Sequence, residues 1–129
     1  MQNILLWLAV VLSLVTFYVH TFIGGPRVAA PLLRNKDLPI ASKWLNYYCW
    51  HIVTLYLLLI GSGYAYVALH PERPELIIFL TILNSSFAIL SVLVARKGKI
   101  NPLRFPSTTL FSLLSLSGIC WLALSRPPA

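Results

Sequence analysis

Acidic residues are almost missing from this 129-residue chain: Asp37, Glu72 and Glu75 are all it has, and charged residues of both signs make up only 10% of it. An average soluble domain carries roughly 25%. A chain of 14.5 kDa that is 58% hydrophobic has too little interior to hide its apolar side chains from water, whereas lipid accepts them as outer surface. The mean hydropathy of +0.80 agrees, and a water-soluble fold is all but excluded.

Cysteine is scarce too. Cys49 and Cys120 stand in different apolar runs and form no C-x-x-C pair, so neither a zinc ribbon nor a redox dithiol is supported. The net charge of +7 would suit nucleic acid in a soluble protein, but no RNA- or DNA-binding motif surrounds the basic residues, which fall between the apolar runs. There they read as topology signals and lipid headgroup contacts.

What the chain has in quantity is hydrophobic length. Four stretches, Ile4–Phe22, Trp44–Leu69, Leu76–Ala95 and Pro106–Leu124, each lie near the ~20 residues that a helix needs to cross hydrocarbon. The expected fold is therefore all-α: one membrane domain, a four-transmembrane-helix bundle with connections at 23–43, 70–75 and 96–105. Gly24-Gly25-Pro26 is expected to end the first helix, His70-Pro71 and Pro74 to fence the second from the third, and Gly98, Pro102 and Pro106 to mark the last connection. Pro106 suits a first helical turn. Short loops predict two antiparallel hairpins in sequence. Met1-Gln2-Asn3 carries no Lys or Arg, so the first run lacks a signal peptide's basic leader and is expected to be retained.

The cations give a direction. Arg27, Arg34, Lys36 and Lys43 follow the first span, and Arg96, Lys97, Lys99 and Arg104 follow the third, against Arg73 and Arg126 on the opposite side. By the positive-inside rule the two basic connections are cytoplasmic and both termini face out. Cys49 then lies near the cytoplasmic start of the second span and Cys120 near the outer end of the fourth, more than ~10 Å apart in depth at ~1.5 Å per residue. A disulfide needs Cα atoms within ~7 Å, so no bridge is expected.

No Asp, Glu, Lys or Arg stands inside a span, which removes the residues that usually mark ion and proton pathways. The remaining polar residues follow helical spacing: Ser13, Thr16 and His20 in the first span; Trp44, Tyr47, Tyr48, His51, Thr54 and Leu58 in the second; Thr81, Asn84, Ala88 and Ser91 in the third; Thr108, Ser112 and Ser115 in the fourth. These stripes are expected to face inward, where hydroxyls and small residues let membrane helices approach and share hydrogen bonds.

His20 closes the first span and His51 sits about two turns into the second, so both are expected at a similar depth on the cytoplasmic side. Neutral imidazole is a good ligand for haem b or a transition metal, and two helices of a bundle can each supply one. Tyr47, one turn before His51, would add a hydrogen bond to such a site. Two histidines with no carboxylate are few for a metal centre. Three readings stay open: an interfacial pair bonded to carbonyls, hydroxyls or lipid phosphate; ligands of haem or a metal; and a proton relay. Residues 24–36 mix apolar and basic side chains as a segment lying on cytoplasmic headgroups would, with Arg27, Arg34 and Lys36, and Lys43 beyond them, meeting phosphate.

His20-Thr21-Phe22-Ile23-Gly24 at the end of the first helix, Pro31-Leu32-Leu33 in the loop and Trp50-His51-Ile52-Val53-Thr54 in the second helix resemble a family of small uncharacterised bacterial integral membrane proteins. The resemblance covers Tyr18 to Thr54, implies a bacterial inner-membrane location, and picks out the same two histidines without supplying an activity. The leading functional expectation is a non-catalytic accessory or assembly subunit of a larger membrane complex, in contact with anionic lipid and with other subunits or copies of itself. The alternatives are a haem- or metal-binding redox protein using His20 and His51, and a small oligomeric channel or transporter with a polar path past Asn84.

Overall fold

The computed structural model describes residues 2–71 and 74–125, and every regular element among them is helical. Four helices are long and apolar enough to cross a membrane: Asn3–Arg34, Ile40–Leu69, Pro74–Lys97 and Pro106–Leu124. That is the architecture of a multi-pass membrane protein. Arg73 and Arg126, the sparse cations of the second side, lie outside the described residues.

The first helix is composite. α1 (Gln2–Tyr18) passes directly into a π-helical run, Val19–Ala29, and then into α2 (Ala30–Arg34). Gly24-Gly25-Pro26 therefore does not end the helix near Phe22, as the sequence suggested, and the segment from Gly24 is no surface-lying loop. Pro26 has no N–H to give, and in a normal α-turn its ring would collide with the carbonyl four residues back. Widening the turns moves that carbonyl aside and keeps backbone groups paired within the helix, as in the bond from Ala30 N–H to Gly25 O. The connection then shrinks to 35–39, where the Asn35 side chain accepts from the backbone N–H groups of Asp37 and Leu38 at 2.8 and 3.2 Å.

α3 (Ile40–Leu69) starts four residues before the expected Trp44, and α4 (Pro74–Lys97) opens on Pro74. α4 closes with paired bonds from Ile100 N–H to Ala95 O and from Lys99 N–H to Arg96 O, which put Lys99, rather than Gly98, in the left-handed conformation at φ 56°. A 3-10 turn at Pro102–Arg104 leads to α5 (Pro106–Leu124), with Pro106 in its first turn as expected. α1 packs chiefly on α3 and next on α5, α5 chiefly on α4, and α3 touches α4 more sparingly, so the helices form a ring.

The small and hydroxylated stripes of three helices turn inward: Ser13, Thr16, Thr81, Asn84, Ser91, Thr108 and Ser115 are buried. The α3 stripe is different. Its buried face is Leu57, Ile60, Gly61, Tyr64, Val67 and Ala68, while Trp44, Tyr48, His51 and Leu58 are exposed. Amphipathic aromatic rings at a helix end favour the lipid–water interface over the core, and the leucine-rich stretch that follows them does little to mark its packed side. Cys49 and Cys120 are free and exposed.

Candidate functional site

In the half of the bundle away from the two basic connections, hydrogen bonds and close packing join three helices. Tyr64, fully buried, donates its hydroxyl to Leu114 O at 3.1 Å and accepts from Asn84 Nδ2 at 3.2 Å, tying α3, α4 and α5 together. Ser85 and Ser115 share a hydrogen bond of 2.5 Å, and a Cβ on Gly118 would collide with Thr81 Oγ1, so α4 and α5 are in close backbone approach there. Asn84, past which the channel alternative would run, donates its Nδ2 to Tyr64 and to the helix's own Leu80 carbonyl, while its buried Oδ1 meets no partner among the described residues. A layer of rings follows: Tyr56 meets Phe87 edge-on at 4.8 Å, and Phe111 lies 5.4 Å from Phe87.

On the basic side of that layer the packing opens. The π-helical run sets out two rows at a spacing of four residues: His20, Gly24 and Val28 line one cavity, and Thr21, Gly25 and Ala29 line another. Trp50 of α3 stands between the two and lines both. Its indole stacks on the His20 imidazole with centroids 4.0 Å apart and planes at 18°. It also fits over Gly24, where a Cβ would lie 2.8 Å from Trp50 Cη2. Glycine at 24 is thus a requirement of close approach.

His20 is held by its edge as well as its face. Nε2 lies 3.1 Å from both Trp50 O and Thr54 Oγ1, and Thr54 itself donates to Trp50 O at 3.1 Å. A carbonyl only accepts, so the hydrogen-bond network assigns the proton to Nε2. Nδ1 is then the acceptor of the ring, and both of the imidazole's hydrogen bonds among the described residues are made at Nε2 instead. The cavity under His20 measures about 240 Å³ and is chiefly apolar, walled by Val53 and Leu57 of α3 and by Phe105, Pro106, Leu110 and Phe111 at the start of α5.

His51 takes part differently. It is exposed, packs edge-on against Tyr47 at 4.5 Å and 88°, and with Tyr47 and Thr21 lines the second cavity of about 260 Å³. The two imidazoles are therefore neighbours in depth, as expected, but open into different spaces with Trp50 between them. That arrangement does not suit one haem or metal ion shared by both: His20 has one ring face covered by indole and one nitrogen spent on a carbonyl. Among the described residues no group of three or more His, Cys, Asp or Glu gathers as a metal site would require. Arg27, Arg34 and Lys36 are exposed and Lys43 is half-buried, all at the basic end of the first two spans.

Compared with known proteins, the chain matches no family model, no curated protein and no solved structure. The site therefore rests on its own geometry. Sequence reasoning singled out His20, Thr54 and the neighbourhood of Trp50, but not the clamp that joins them, nor Gly24 as its floor. The signal was present: a glycine four residues after a histidine leaves room for one large ring, and Trp50 is that ring. Tyr64 and Gly118 were missed because a tyrosine or glycine inside an apolar run has no periodic partner to mark it.

Proposed function

We propose that this chain is a small multi-pass protein of a bacterial inner membrane, made of two antiparallel hairpins with both termini outside, and that it acts as a non-catalytic accessory or assembly subunit of a larger membrane complex. The observation that carries this reading is the unequal reach of the helices at the basic end. The first helix continues to Arg34 and α3 begins at Ile40, whereas α5 begins at Pro106, alongside Gly24 and Val28. Ten residues of α3 precede Trp50, a projection of about 15 Å at ~1.5 Å per residue. The resulting two-helix tip is uncovered by the rest of the chain, with Ile40 77%, Trp44 57% and Tyr48 63% exposed. Large amphipathic rings are the side chains most enriched at subunit interfaces, and the neighbouring Arg27, Arg34, Lys36 and Lys43 suit an anionic headgroup layer around such a contact.

Purification in mild detergent tests the proposal. The native chain is expected to run as one complex with a stoichiometric second membrane polypeptide, and a Trp44→Ala, Tyr48→Ala double variant to be released from it while keeping its helical circular dichroism. A native chain that is monomeric with no co-purifying polypeptide overturns the assignment.

A further inference from the structure

The geometry points to the cavity beneath His20 as a binding site for a hydroxylated aromatic ring carried on an apolar chain, the chemistry of a phenol or quinol amphiphile, with its O–H donating to His20 Nδ1. Three observations converge on this. The first is size and character: apolar cavities of ~150 Å³ stay dry and admit a benzene ring, and this one, at about 240 Å³, has room for a ring bearing substituents. The second is the lining, in which Trp50, Phe105 and Phe111 offer aromatic surface and Val53, Leu57 and Leu110 aliphatic surface.

The third observation decides the polarity of the ligand. Trp50 O takes the Nε2 proton of His20, so the nitrogen left over can only receive a hydrogen bond while the ring is neutral. A ligand with an O–H satisfies it; an ether or a quinone carbonyl places acceptor against acceptor. The stacked indole and the Thr54 hydroxyl hold the imidazole in one orientation, so that little ordering is left to be done when the ligand arrives. The cavity is partly open, which leaves a way out for the apolar chain. The site lies apart from the tip assigned to a partner subunit, and it stands or falls without that assignment.

The test is calorimetric titration of the full chain in lipid nanodiscs with 4-pentylphenol and with its methyl ether, 4-pentylanisole, after subtraction of empty nanodiscs. The phenol is expected to bind saturably, one per chain, about five- to tenfold tighter than the ether, as befits one hydrogen bond between neutral groups. His20→Phe keeps the stacked ring but loses the acceptor, and is expected to bind both probes alike. Leu110→Trp fills the cavity from the α5 wall without touching the His20–Trp50 clamp, and is expected to abolish saturable binding of both. Equal affinities in the native chain, a preference for the phenol that survives in His20→Phe, saturable binding that survives in Leu110→Trp, or uptake no different from empty nanodiscs would each overturn the assignment.

Discussion

The two ends of this bundle are built on opposite terms. Around Tyr64, Asn84 and Gly118 hydrogen bonds run between α3, α4 and α5, and glycine serves to bring backbones together. Around His20, Trp50 and Gly24 a glycine serves to seat a ring, and one nitrogen of an imidazole is left over. Lipid exerts little hydrophobic drive between helices, so association depends on packing and on internal hydrogen bonds. The Tyr64 end supplies both, whereas the His20 end lines two cavities.

Substitution of the same kind at each end separates the two roles most sharply. Gly118→Ala meets Thr81 across a close helix crossing with no flexible side-chain end to yield, and is expected to cost roughly 2–3 kcal/mol in reversible unfolding by sodium dodecyl sulfate. Tyr64→Phe removes the bond to Leu114 O and one of the two bonds that Asn84 Nδ2 makes, for an expected loss of roughly 1 kcal/mol in the same assay. Gly24→Ala presses only on the far edge of the Trp50 indole, which can swing, and the added methyl favours the helix. Its net effect on stability is expected within about 1 kcal/mol, while Trp50 fluorescence, read in a chain whose other tryptophans are replaced by phenylalanine, shifts as the ring leaves His20. His51→Ala, at an exposed ring, is expected to change stability by less than about 0.5 kcal/mol. A Gly24→Ala cost equal to that of Gly118→Ala would erase the distinction between the ends.

The four spans were legible because hydrophobic length is a property of the sequence alone, and the inward faces of α1, α4 and α5 because Ser13, Thr81 and Thr108 with their helical neighbours are polar against an apolar ground. The face of α3 was not. Its buried Leu57, Ile60 and Val67 look the same as its lipid-facing Leu55, Leu58 and Leu59, so only the aromatic rings stood out, and those belong to the interface. The continuation past Pro26 was hidden for a related reason: glycine and proline usually mark an ending, and nothing local in the sequence shows that widened turns keep the backbone groups paired across them. His20 was legible as a chemical group. Its tautomer was not, because the carbonyl that fixes it comes from thirty residues away.

The order of neighbours around the ring decides how the chain would tolerate being severed. A nick between residues 71 and 74 leaves α1 with its main companion α3 and α4 with its main companion α5. Each fragment keeps its own most extensive seam, and the two still share the α1–α5 seam and the Tyr64 bonds. Two separately made two-helix pieces are therefore expected to find each other and reassemble.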